Sequence, residues 1–149
     1  MTDRTALDAR ALLRAARQAT LATAAPGGWP FASLVLIALG SDGAPLLLLS
    51  DLAEHSKNIA ADDRVALLID GTAGLEDPLS GPRLTVLGRA ARSPDPDHRR
   101  RFLERHPGAE QYADFADFAI YRLAVERGHL VAGFGRIHWL DAAELLGGE

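Results

Sequence analysis

Short apolar runs closed by Gly- or Pro-rich turns recur along almost the whole chain, and this spacing constrains the fold more than any other feature. TLATAA (20–25) ends in PGGW (26–29), PFASLVLIAL (30–39) ends in GSDGAP, and LLLLS (46–50) leads through a polar stretch into RVALLID (64–70). Paired glycines accept positive φ, so neighbouring runs are expected to fold back on one another as antiparallel strands. RLTVLGRAARS (83–93) follows the Gly/Pro-rich loop 71–82, and DFAIYRLAVERG (117–128) with HLVAGFGRIHWL (129–140) adds two or three strands. Helical spacing shows in residues 3–18, where Ala9, Leu12, Leu13 and Ala16 recur every three or four positions. It shows again in DHRRRFLERH, with Asp95 as N-cap and Pro96 at the first position, and in the closing DAAELL. The pattern predicts one mainly β domain over 1–149, a barrel of about six antiparallel strands with short flanking helices rather than a doubly wound sheet.

Composition removes several function classes. The chain has no cysteine, so disulfides, thiolate catalysis and Cys-ligated metals are unavailable. A net charge of −4 argues against general affinity for nucleic acid or anionic membrane. The amphipathic start lacks the apolar core of a secretory signal, and no apolar run is long enough to span a bilayer. A cytoplasmic location is the expectation. The five histidines lack chelating spacing and no HExxH occurs, so no metal site is expected. His98 and His106 lie about two helical turns apart, roughly 12 Å, too far to share an ion. No G-x-S-x-G elbow is present.

The polar stretch SDLAEHSKN (50–58) between two buried strands needs a reason. Asp51 and Glu54 form a capping-box pattern, which predicts a short helix starting there. On it Leu52, His55, Ser56 and Ile59 share one side and Lys57 points away. A helix start with His55 and Asn58 beside it suits an anion such as a phosphate. The alternative is a plain connector, with His55 half-buried and Lys57 solvated.

The order of these fragments resembles the pyridoxamine 5′-phosphate oxidase-like, FMN-binding split-barrel family. The resemblance rests on a strand, the G-x-P turn at 28–30, a second strand, the H-S-x-N-I helix (55–59) and DDRVALLI (62–69). EDPLSGPRLTVLGRA (76–90) and VAGFGRIHWL (131–140) bring it nearest to the haem-utilisation branch. It implies a split β-barrel homodimer that binds FMN and acts as a flavin-dependent oxidoreductase on a small-molecule substrate. Haem binding or degradation, a deazaflavin in place of FMN, and a non-enzymatic flavin carrier or sensor are the alternatives. By the same resemblance Ser33, Leu34, Val35 and Leu36 would run along the isoalloxazine edge, and Ser50 would lie near the phosphoribityl chain. His55 would take the place of a phosphate-binding Lys or Arg, with Asn58 on the same helix. Arg83 would contact the ring, and Gly133, Gly135 and Arg136 would approach the ligand, often across the dimer interface. Ser33 stands where true pyridoxamine phosphate oxidases carry Arg, and their Ser-Arg-Lys run and Trp-x-x-x-Arg-Leu signature are missing. That argues against vitamin B6 oxidation.

Plainer roles are open for several of these residues. Arg83 and Arg89 would serve as polar alternates on a half-exposed strand, and GFG (133–135) as a bulge in a bent strand. HRRR (98–101) reads as a solvated helix face with Phe102, Leu103 and His106 turned inward. His129 and His138 remain candidates for a haem or substrate pocket.

Overall fold

The computed structural model describes residues 4–147. Helix α1 (Arg4–Ala15) buries Ala6, Ala9 and Leu13, as its spacing predicts. Eight strands follow, against the six expected: β1 (Gln18–Ala24), β2 (Pro30–Leu36), β3 (Ala38–Leu39), β4 (Pro45–Ser50), β5 (Arg64–Asp70), β6 (Arg83–Arg92), β7 (Phe118–Val131) and β8 (Ile137–Asp141). They are joined by α2 (Glu54–Ala61), α3 (Pro96–Arg105) and α4 (Glu110–Ala113), and α5 (Ala142–Leu145) closes the series. No helix among the described residues is long and apolar enough to cross a membrane.

Every strand pairing is antiparallel, in the order β2-β1-β5-β6-β7-β4-β3, with β8 added beside β7. The two ends of this path, β2 and β3, are separated in the chain only by Ile37. The sheet therefore curls until β2 meets β4, yet those two strands share no ladder. That seam is the split in the barrel.

Two of the strand boundaries expected from sequence are corrected by tertiary contacts. The run 30–39 divides between two partners: as far as Ile37, whose N–H donates to the Arg17 carbonyl (3.1 Å), it follows β1, and from Ala38 it pairs with β4, which separates β2 from β3. At the other end, no turn forms at residues 128–129: β7 runs straight through Gly128 to Val131. A Cβ on Gly128 would lie 2.7 Å from a Leu145 methyl, so the glycine there admits α5 onto the sheet. The real reversal is the GFG segment, where Gly133 (φ 129°) and Gly135 (φ 74°) turn β7 into β8; it is a hairpin turn and not a bulge.

The barrel interior is filled by Leu21, Ile37, Leu47, Leu67, Ile69, Leu84, Val86, Leu123 and Leu130, all essentially sealed from solvent. A second cluster of Ala38, Leu46, Phe102, Ala109 and Ile120 lies outside the barrel wall beneath α3. Strand β4 thus has two apolar faces, Leu47 and Leu49 inward and Leu46 and Leu48 toward α3, which explains its unbroken leucines. As expected, Phe102 and His106 are buried. The ends of α1 and α3 lock each other. The Arg105 guanidinium donates to the Ala15 and Ala16 carbonyls (3.0 and 3.1 Å), and Arg17 returns a bond to the Arg105 carbonyl (3.0 Å).

Candidate functional site

The split between β2 and β4 opens into a cavity of about 350 Å³, at the lower end of the range for small-molecule sites. Leu34, Val35 and Leu36 of β2 form one wall, and Leu48, Leu49 and Ser50 of β4 form the facing one. Ala53 and His55 close one side at the start of α2, and Phe102, Tyr112 and Phe118 close the other. The Tyr112 and Phe118 rings pack at a tilt of 45° with centres 4.9 Å apart, so this wall is aromatic.

Its polar feature is a pair. Ser33 Oγ lies 3.0 Å from His55 Nδ1, bridging β2 and α2. Burial pushes the His55 imidazole below its ordinary pKa of 6.5, which favours the neutral ring. Nε2 has no partner among the described residues. Ser50 is more constrained: its hydroxyl donates to Asp117 Oδ2 (2.6 Å) and accepts the Leu52 N–H (3.1 Å). The Asp51 N–H also donates to the Asp117 carbonyl (2.7 Å), so Ser50 and Asp117 together set the turn that aims α2.

The local reading of SDLAEHSKN needs two corrections. The helix starts at Glu54 with Ala53 as an uncapped N-cap, because the Asp51 carboxylate is held instead by Arg92; no Asp51–Glu54 capping box forms. A capping box does form at α5, between Asp141 and Glu144. Leu52 precedes the helix and is 75% exposed, so it is not on the packed side. Ser56 and Ile59 are buried and Lys57 is solvent-facing, as the spacing predicts. Asn58 is buried, and its side-chain amide donates to Thr23 Oγ1 (3.0 Å). That bond ties α2 to β1 and spends the amide within the protein.

The expected site residues therefore fall into two groups. Leu34 to Leu36, Ser50 and His55 line the split cavity, and Ser33 meets it through its bond to His55. Arg83, Gly135 and Arg136 do not line it within one subunit. Arg83 Nη1 donates to the carbonyls of Leu79 (2.8 Å) and Gly81 (3.2 Å), fixing the preceding loop. Arg136 belongs to the β7–β8 turn and borders a separate apolar cavity of about 360 Å³ between α1 and β7, 4.0 Å from Asp8. Arg89 pairs with Asp63 and Glu126 at the surface, the plainer of its two readings. The His129 ring packs on Trp139 (4.6 Å), and His138 is exposed. No group of three or more metal-ligating side chains occurs among the described residues. Tyr112, Phe118 and Asp117 complete the site but carried no periodic signal in sequence.

The pyridoxamine 5′-phosphate oxidase family model matches residues 8–132. The chain belongs to this family. Among curated proteins, the chloroplast haem oxygenase HOZ of Arabidopsis thaliana is 34% identical over 109 residues, which cover 71% of this chain and 33% of that protein. A haem-binding protein from Mycobacterium smegmatis superposes with a TM-score of 0.91 at 33% identity, over 97% of this chain and 61% of that one. The protein Atu2129 of Agrobacterium tumefaciens, of unknown function, gives 0.84 at 31% identity, over 99% and 64%. The chain thus spans about a third of the curated relative and under two thirds of both solved ones. Members of the haem-utilisation branch are among its relatives, as the sequence resemblance implied.

Proposed function

We propose that the split cavity is a cofactor site for a planar ring system and that haem is its occupant. The Ser33–His55 pair carries this reading. A neutral imidazole whose Nδ1–H is held by a second residue, with Nε2 left open, is the form in which histidine ligates iron. In that arrangement Ser33 Oγ accepts the Nδ1–H and fixes both tautomer and ring orientation. Leu34, Leu36, Phe118 and Tyr112 provide the apolar wall a porphyrin face requires. When bound, haem supplies iron-centred redox chemistry. This chain's part is to ligate, to orient and to exclude water. The haem-linked names of the Arabidopsis and Mycobacterium relatives support the same reading.

FMN, or a deazaflavin, is the second reading, favoured by the family resemblance and by the uncapped N-terminus of α2 at the cavity edge. There a phosphate would meet free peptide N–H groups and would draw a proton onto His55. The protein would then be a flavin-dependent oxidoreductase acting on a small molecule, or a flavin carrier. It stands second because no Lys or Arg lines this cavity to neutralise a phosphate dianion.

Titration of the purified full chain with hemin and with FMN, followed by visible absorption, tests both. Saturable growth of a sharp Soret band, shifted and weakened in His55→Ala, supports haem ligation; an identical Soret band in the variant removes His55 from that role. If FMN binds instead, His55→Ala should weaken FMN more than riboflavin, since only FMN carries the phosphate. No spectral response to either ligand refutes the cofactor reading.

The working unit we propose is a homodimer. The outward faces of β2, β1, β5, β6, β7 and β8 align Leu34, Thr20, Leu68, Thr85, His129 and Trp139 in one cross-strand row. Leu34 is 70% exposed, Leu68 41% and Trp139 56%, which leaves an apolar strip available to a second copy.

A further inference from the structure

We propose that His106 is the positioning residue of the split cavity: it lies outside the lining and fixes the distance between the two walls. The proposal rests on the reading of that cavity as a cofactor site. β2 and β4 face each other across the cavity without sharing a ladder, so no row of backbone bonds sets their separation. β4 is held by its ladder to β7, and β2 by its ladder to β1. The two walls are joined through Ile37. Leu36 before it belongs to the β2 wall, and Ala38 after it already pairs with Leu46 of β4.

Ile37 stands outside both strands, and its backbone groups bond elsewhere. Its N–H donates to the Arg17 carbonyl (3.1 Å), just before β1, and its carbonyl lies 2.7 Å from His106 Nε2. A carbonyl has no proton to give, so Nε2 is the donor. Both residues are buried, and a buried carbonyl stripped of its donor is costly. His106 directly follows α3, and its own N–H closes onto the Phe102 carbonyl (2.9 Å). Its ring also packs on the Phe102 ring, with centres 4.9 Å apart, and Phe102 lines the cavity. One imidazole therefore grips the β2 wall at its corner and the facing side through Phe102.

The corner is also tied from outside. Arg17, whose carbonyl takes the Ile37 N–H, donates from Nη2 to the carbonyl of Arg105 (3.0 Å), the residue before His106. Ile37, Arg17, Arg105 and His106 thus form a closed circuit of three hydrogen bonds and one peptide bond. With β4 held by β7, any play in that circuit moves Leu36 and Leu34 relative to Leu48 and Ser50. A site loosened in this way loses affinity without losing a contact residue.

Two variants of the full chain separate the bond from the bulk. His106→Gln keeps a donor for the Ile37 carbonyl, and His106→Leu keeps an apolar side chain there and removes the donor. Hemin affinity, read from the Soret band well below each variant's melting midpoint, should fall about tenfold or more in His106→Leu. It should stay close to the parent's in His106→Gln. In amide 1H–15N spectra without ligand, Leu34 and Val35, away from the substituted residue, should shift in His106→Leu and hold in His106→Gln. Where His106→Leu does not fold, Arg17→Met opens the circuit from its exposed side and is judged by the same two readouts. Parent-like hemin affinity with unmoved Leu34 and Val35 amides overturns the proposal, since core packing of Ile37 would then hold the corner alone. Equal loss in His106→Gln and His106→Leu also overturns it, because ring volume and not the bond would matter. A parent that takes up neither hemin nor FMN refutes the cofactor reading, and the ligand-free amide shifts then decide whether His106 sets the walls.

Discussion

Two histidines, His55 and His106, are kept toward neutrality by burial, but they are held in different ways. His106 is almost sealed beneath α3, with Nε2 2.7 Å from the Ile37 carbonyl, so Nε2 must carry the proton. Burial lowers its pKa from 6.5, the carbonyl bond partly raises it, and the nearby Arg17 and Arg105 lower it again. A lowered folded-state pKa means that the unfolded chain takes up the proton first as pH falls. The stabilisation is therefore complete above about pH 6.5 and is lost as pH drops from there toward the folded-state pKa. Thermal melts from about pH 8 to about pH 5 should show a declining midpoint below 6.5. His106→Gln, whose amide can still donate to the Ile37 carbonyl, should flatten that decline. An unchanged slope in the variant would assign the effect elsewhere, with His55 the next residue to test.

At the level of elements, α2 distributes four successive polar residues to four surroundings: His55 to the split cavity, Ser56 to a sealed position without a hydrogen-bond partner among the described residues, Lys57 to solvent and Asn58 to β1. Asn58 and Thr23 are each 4% exposed, so removing one partner strands the other. Asn58→Ala should cost about 1–3 kcal/mol in a denaturant melt, and adding Thr23→Val should recover part of it, a double-mutant cycle with clear coupling. Full additivity would mean that the bond carries no weight. This residue also shows where sequence reading stops. Apolar spacing and cap residues sufficed to place α1, α3 and most strands, and the family resemblance brought β2, β4 and His55 to one site. Spacing on a helix does not tell which neighbour a polar side chain will meet, so Asn58 read as a phosphate donor. Likewise nothing local marks Ile37 as a strand break or Gly128 as mid-strand. Both depend on distant partners, the change from β1 to β4 at Ile37 and Leu145 at Gly128. The aromatic wall from Tyr112 and Phe118 depends on how α4 folds back, a contact no period encodes.

At the scale of the molecule, the curled sheet leaves one face unused. The row from Leu34 to Trp139 crosses six strands, roughly 24 Å at about 4.8 Å per strand. The parallel row two residues along adds Leu36 and Ile137, also exposed. A stable dimer buries about 800 Å² per partner, so the proposed contact extends beyond these two rows. Leu34 and Leu36 belong both to this face and to the wall of the split cavity, so pairing and ligand binding share a wall. Light scattering coupled to size exclusion should therefore give twice the chain mass for the parent protein. Leu68→Glu, in the middle of the strip and outside the cavity lining, should give a monomer with an unchanged far-ultraviolet circular dichroism spectrum. The same variant should bind hemin or FMN more weakly, although no ligand-lining side chain has changed. A parent that runs as a monomer would overturn the homodimer, and a dimer untouched by the buried charge would place its interface elsewhere. A monomeric variant with full ligand affinity would show that the split cavity is complete within one subunit.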